Sequence, residues 1–371
     1  MLSRRQFVVA ATATAGALPA LEACSSHQSI DRYDTAIGAT WRLSPSLPVG
    51  AMALHRELVR CATLASSSHN TQCWQFHSDV DAIVITPDLS RRCPAVDPDD
   101  HHLFVSLGCA TENLVHAAQA FGLHGNVLVE AHANAADARI RVVLTPTEAI
   151  ASPRYRAIAE RQNTRGLYDG RALASDELAA VEHAGRGTGV RIEMLTDRPA
   201  MERVLEQVVT ANSAQMQDAA FVQELKHWIR FNRDDAVRSG DGLYTGATGN
   251  PSVPAWLGTM LFEMFMKPAK ENDKYAAQIR SSAGIAVFVS DSSDIAHWIE
   301  VGRCYERFAL QCTAMNIRVA MLNQPVEVAA LRAPFASSLG LRGQRPDLVV
   351  RFGRGATMPR SLRRDVGAVM V

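Results

Sequence analysis

Two stretches of the chain repeat each other at a constant offset, and this repeat restricts the fold more than any other feature. Gly108-Cys-Ala-Thr-Glu112 and the residues on to Gly122-Leu123 align with Gly302-Arg-Cys-Tyr-Glu306 and those on to Asn316-Ile317, 194 residues apart throughout. Apolar positions coincide too: Leu114 with Phe308, Ala118 with Cys312, and Phe121 with Met315. The spacing predicts a long helix over residues 102–122, with Leu103, Leu107, Ala110, Leu114, Ala118 and Phe121 on one face, and a second over 297–317. A mid-helix glycine costs about 1 kcal/mol against alanine. Two at equivalent positions therefore predict that the helix backbones cross closely. A chain of 371 residues is long enough for two such halves.

Around these helices the pattern is mixed. Leu54, Leu58, Cys61, Ala62 and Ala65 give a helix that ends at the loop formers Ser66 to Asn70. Residues 74–76 and 82–86 predict a hairpin, and 140–144, 191–195, 285–289 and 348–352 further strands. Helices are expected over 154–161, 175–183 and from 198 to about 236. The fold class is α+β, with residues 51–150 as one half and 151–371 as the other. Residues 238–254, dense in Gly, Asn, Thr and Pro, are long for a connector and predict a lid that extends to about 280.

The start differs in composition. Arg4-Arg5 precedes a weakly apolar run from Val8 to Ala20, so residues 1–23 read as a twin-arginine export signal. The Tat translocase is then a partner, and the mature chain is periplasmic or otherwise extracytoplasmic. Leu21-Glu22-Ala23-Cys24 has lipobox spacing, which makes Cys24 a candidate for membrane attachment. Residues 24–50, polar and rich in Ser and Pro, read as a tether. With 38 basic and 38 acidic residues there is no field to gather nucleic acid. Seven cysteines without CxxC spacing predict no disulfide framework.

Other motifs are set aside. Adjacent side chains at His101-His102 should diverge, so no metal is expected there despite Asp97, Asp99 and Asp100. Gly185-Arg-Gly-Thr-Gly189 lacks the strand and acidic residue of a dinucleotide fingerprint and is a turn. No Gly-x-Ser-x-Gly occurs. Trp228, Trp256, Met260, Met264, Phe265 and Met266 read as core or lid packing.

Two short stretches remain: Ser66-Ser-Ser-His-Asn-Thr-Gln-Cys-Trp-Gln75 and Glu160-Arg-Gln-Asn-Thr-Arg165. With the glycine helix, Pro346 to Gly353 and Arg360-Ser-Leu-Arg-Arg364, they resemble the nitroreductase family of FMN oxidoreductases, in its fused two-half actinobacterial form. Ser66 and Cys73 stand where the family has prolines, which should loosen the turn. The resemblance implies a nitroreductase-like fold whose halves form an intrachain pseudo-dimer, hence a monomer. FMN is the implied cofactor. Arg161 and Arg363 would hold its phosphate, Arg165 would tune the ring, and Ser67, Ser68, Asn70, Gln72 and Asn163 would complete the binding set. The serine-asparagine motif occurs only in the first half and the arginine motif only in the second, which predicts one FMN per chain.

The implied activity is ping-pong two-electron transfer from a small-molecule donor to a nitroaromatic or quinone. Export complicates the donor, because reduced nicotinamides are cytoplasmic. A non-catalytic flavin-binding or flavin-sequestering protein is the alternative.

Overall fold

The computed structural model describes residues 32–131, 134–265, 267–341 and 343–371. The expected export signal, residues 1–23, and Cys24 lie outside them. No helix among the described residues is long and apolar enough to cross a membrane.

After a helix over residues 32–40 (α1) come α2 (Ala51–Thr63), the hairpin β1 (Trp74–Ser78) and β2 (Ala82–Pro87), the helix α3 (His101–Ala120), β3 (Leu123–Glu130) and β4 (Arg139–Pro146). A short α4 (Pro153–Ile158) leads to α5 (Ser175–Ala184) and β5 (Val190–Leu195). Then follow α6 (Arg198–Gln217), α7 (Ala219–Trp228), β6 (Ile229–Arg230), α8 (Arg233–Ser239), β7 (Leu243–Tyr244), α9 (Ala255–Phe265) and α10 (Pro268–Arg280). The chain continues through β8 (Gly284–Ser290), α11 (Ile295–Ala314), β9 (Arg318–Met321), α12 (Gln324–Glu327), α13 (Ala329–Ser338) and β10 (Arg345–Gly353).

The two four-stranded sheets have the same topology. Their orders are β1-β2-β4-β3 and β5-β8-β10-β9, with every neighbouring pair antiparallel. Each half thus runs helix, two strands, long helix, two strands. The first half passes from β1 to β2 through residues 79–81, whereas the second inserts 196–283 at that place. Along β8 alternate residues face opposite ways, as a strand requires. Ala286 and Phe288 enter the core around α11, while Ile285, Val287 and Val289 pack under the inserted helices.

The glycine repeat explains how the halves join. A Cβ on Gly108 would stand 2.0 Å from the carbonyl oxygen of Ile299, and one on Gly302 would stand 2.0 Å from that of Val105. Only glycine allows α3 and α11 this approach. One apolar core, with Leu107, Leu114, Phe308 and Leu310 among its members, runs through both halves. The two helices also end alike: Gly122 and Asn316 both take left-handed backbone, with φ of 78° and 58°.

Three expectations need correction. Residues 32–40 of the expected tether form α1, whose Tyr33 is buried and donates its hydroxyl to the Arg360 carbonyl, and Trp41 donates to the Ser361 carbonyl at 2.9 Å. Tyr33, Ala36 and Ile37 share a helical face that the polar composition hides. Strands β3 and β9 and helices α12 and α13 carry weak periodicity and were not expected. Trp256 is 72% exposed and packs in no core, while Trp228 is buried, with the Arg91 and Arg230 guanidiniums over its ring.

Candidate functional site

The loop after α2 is built around three left-handed, non-glycine residues: His69, Asn70 and Gln72, with φ of 47°, 54° and 55°. Such backbone costs of order 1 kcal/mol per residue or more, so it persists only where surrounding bonds enforce it. Asn70 Nδ2 donates to the carbonyls of Gly242 (3.0 Å) and Leu362 (3.2 Å). Gln72 Nε2 donates to the Gly240 carbonyl at 2.9 Å, and its Oε1 accepts from the Arg364 N–H at 2.8 Å. These amides fasten the turn at residues 240–242 and the C-terminal arm to the loop. Gln72, expected at a ligand, is fully buried and outside the cavities lined by its neighbours. Asn70 still reaches a cavity wall, but both its amide protons are committed.

The loop faces a cavity of about 250 Å³ and an adjoining hollow of about 70 Å³. Ser66, Ser67, His69, Asn163, Arg165 and Leu243 line both, so the two adjoin. Ser68 faces the larger space, its N–H held by Ser106 Oγ at 3.2 Å. Ser67 Oγ accepts from the Gln72 N–H at 3.1 Å. Asn163 sits beside Val319 of β9 and accepts from the Tyr305 hydroxyl at 3.3 Å. The site therefore draws one wall from each half.

Arg165 stands alone in this polar wall. Its guanidinium borders both cavities, and among the described residues it has neither a hydrogen bond nor an ion pair. Burial pulls its pKa down, opposed by Tyr275 and Glu327. Beside it the His69 imidazole is held down to about 4 by burial and by the Arg165 charge, so it is neutral near pH 7. His69 was not among the expected site residues, and nothing in the spacing marks it.

The far end of the hollow carries surplus positive charge. Arg161, Arg360 and Arg363 all line it. Arg161 is buried and already paired: Nε lies 3.0 Å from Glu306 Oε1, and the other nitrogens donate to Ser66 Oγ (2.8 Å) and the Leu64 carbonyl (2.7 Å). Arg363 donates to the carbonyls of Thr63, Leu64 and Ala65, closing the end of α2, and burial with nearby Arg161 pushes it down to about 9. Both guanidiniums thus meet an anion by field more than by free donors. Arg360 lines the same hollow, and its Nη1 is buried without a hydrogen-bond partner. It was legible only as part of the C-terminal motif.

Ser66 does not loosen the turn. Its N–H points to Glu306 at 3.5 Å and its hydroxyl accepts from Arg161, and a proline could make neither contact. Nor do His101 and His102 diverge: their ring centroids are 4.6 Å apart. From the segment expected as a lid, Leu243, Thr245, Lys274, Tyr275 and Gln278 border the larger cavity.

The pseudo-equivalent place in the other half is filled. Glu112, the counterpart of Glu306, is paired with Arg303 (3.1 Å) and Arg307 (3.0 Å), which both also hold Glu300. By the 194-residue offset, Glu300 and Arg303 stand where the open cavity has Ser106 and Cys109. Small neutral side chains there leave room; a charge cluster here does not.

No family model matches the chain. Proteins from two strains of Mycobacterium tuberculosis, each provisionally named an NAD(P)H nitroreductase, are 22% identical over 324 residues, covering 85% of this chain and 90% of their own. A nitroreductase from Bacteroides fragilis with bound FMN overlaps 55% of this chain and 89% of its own, at 14% identity and a TM-score of 0.34. An FMN-dependent nitroreductase from Mycobacterium smegmatis in complex with NADPH overlaps 55% and 87%, at 15% identity and a TM-score of 0.35.

Proposed function

We propose that the protein is an FMN-dependent oxidoreductase of nitroreductase type, with one flavin site between its two halves. The observation that carries this is Arg165: an unpaired guanidinium on a cavity that ends among three further arginines. A dianionic phosphate suits Arg360 Nη1 and the field of Arg161 and Arg363. An electron-rich ring that gains negative charge suits Arg165, whose charge favours the reduced state. Bound FMN would supply the two-electron chemistry. The chain's own work is to orient and shield. Ser67, Ser68 and Asn163 offer hydrogen bonds along the cavity, Asn70 and Gln72 anchor the lid turn and the arm, and Leu243 with Tyr275 keeps water from the wall.

Donor and acceptor take turns at the larger cavity. The name of the mycobacterial relatives makes a nicotinamide donor the first to try, with nitroaromatics and quinones as acceptors. Export through the twin-arginine route, with lipid attachment at Cys24, is part of this reading and rests on the first 24 residues. The visible absorption spectrum of the purified protein, with released flavin identified and counted, tests it. One FMN per chain, bleached by NADH or NADPH and restored by an acceptor, is expected. A colourless protein that takes up no FMN overturns it.

A further inference from the structure

At the start of α3, behind the larger cavity, three buried side chains converge: Asp97, His101 and His102, with one ligand atom of each within 4.8 Å of the others. All three are at most 4% exposed. Both ring nitrogens of His101 and Nε2 of His102 lack a hydrogen-bond partner. A buried, unpaired polar atom costs about 1–3 kcal/mol, and here three stand together. Burial holds both imidazoles neutral. A neutral imidazole presents one lone pair, on the ring nitrogen that carries no proton.

The surroundings match what orients metal-binding histidines. Nε2 of His101 lies 3.0 Å from Asp347 Oδ1, off the N–H line, and the backbone carbonyl of Asp347 faces His102 as an acceptor. Asp347 is itself fixed by the Ser290 N–H at 2.8 Å. Asp97 accepts from the N–H groups of His102 (3.0 Å) and Leu103 (2.9 Å), which sets its carboxylate at the helix start and leaves lone pairs unused. The nearby guanidiniums of Arg332 and Arg345 are both paired with Asp99 at 3.0 Å. That pairing leaves one positive charge over, which Asp347 Oδ1, 4.0 Å from Arg345 Nε, is placed to offset.

We propose that Asp97, His101 and His102 form a binding site for a borderline divalent cation such as Zn²⁺ or Co²⁺. Two imidazoles and a carboxylate disfavour Mg²⁺ and Ca²⁺, which take oxygen ligands. Three protein ligands leave a coordination position open, and His102 is also one of the residues that line the larger cavity. The site is independent of the flavin reading, since its metal is counted whether or not flavin is present.

The test is titration of chelator-treated full-length protein with Co²⁺, followed by gel filtration and metal analysis. About one Co²⁺ per chain is expected, with d–d absorption of a low-coordinate nitrogen and oxygen site and displacement by Zn²⁺. Asp97→Asn and His101→Asn should each weaken binding at least tenfold. If either variant fails to fold by circular dichroism, pulsed EPR of the Cu²⁺-loaded wild type decides, because it counts coordinated imidazoles. Two support the site; fewer overturn it. No retained metal in the wild type, or undiminished metal in folded variants, also overturns it.

Discussion

Arg165 and Arg161 come from one motif, yet the structure separates what their loss should do. Removing Arg165 breaks no bond its guanidinium makes, so Arg165→Ala should change stability by less than about 1 kcal/mol while releasing flavin. Removing Arg161 strands Glu306, which is fully buried, and loss of one partner of a buried pair costs about 3–5 kcal/mol. Arg161→Ala should therefore unfold earlier in urea whether or not flavin is bound. If Arg165→Ala keeps stoichiometric flavin, the ring placement is wrong. His69 adds a pH signature. Its folded pKa of about 4 lies below the ordinary value near 6.5, so the unfolded chain binds more protons between those values. The stabilisation it confers is fully present above about pH 6.5 and is lost as pH falls towards 4, by at most about 1.4 kcal/mol per pH unit. Urea melts at several pH values should show a shallower acid slope for His69→Gln than for the wild type. The types and spacing of these residues were legible in sequence. The state of each group was not: that Arg161 is spent on Glu306, and that Gln72 faces the arm, depend on segments some 140 and 290 residues away.

At the scale of elements, the crossing of α3 and α11 is the joint on which the two walls depend. Gly108→Ala places a methyl against a backbone carbonyl, and backbone cannot swing aside as a side-chain end can. A loss of about 3 kcal/mol or more is expected, at the upper end of over-packing, with Gly302→Ala similar and the double variant less than additive. Gly38→Ala is the contrast: the glycine lies in α1 with nothing within 4 Å of the added methyl, and helix propensity predicts a gain of up to about 1 kcal/mol. Thermal melts of the variants check both signs, and a mild Gly108→Ala would mean that the helices do not touch there. The repeat made this joint readable because only a close approach explains two glycines in helices with matched ends. α1 escaped because its apolar stripe has only Tyr33, Ala36 and Ile37 in a polar stretch. β9 escaped because four residues carry too little pattern.

The whole molecule resembles a dimer drawn into one chain, and this has a consequence for dilution. In a site shared between separate subunits, lowering protein concentration separates the walls and the cofactor is lost with them. Here the serine loop of one half and the arginine motif of the other are held by the α3–α11 crossing and by covalent linkage. The arm adds its own tie, with Val371 and Val369 bonded to Phe76 of β1. Flavin occupancy at fixed excess FMN should therefore be constant as the chain is diluted from micromolar to nanomolar, and light scattering should give one chain with one flavin. Occupancy that falls with chain concentration would mean that a second copy completes the site. Two flavins per chain would contradict the closed counterpart, where Glu112, Glu300, Arg303 and Arg307 occupy the space. Truncating that cluster should not restore a second site. The counterpart loop Gly185 to Gly189 has neither the serine hydroxyls nor an unpaired arginine to receive the ligand, so Arg303→Ala and Arg307→Ala should lower stability by stranding Glu112 and leave flavin at one per chain.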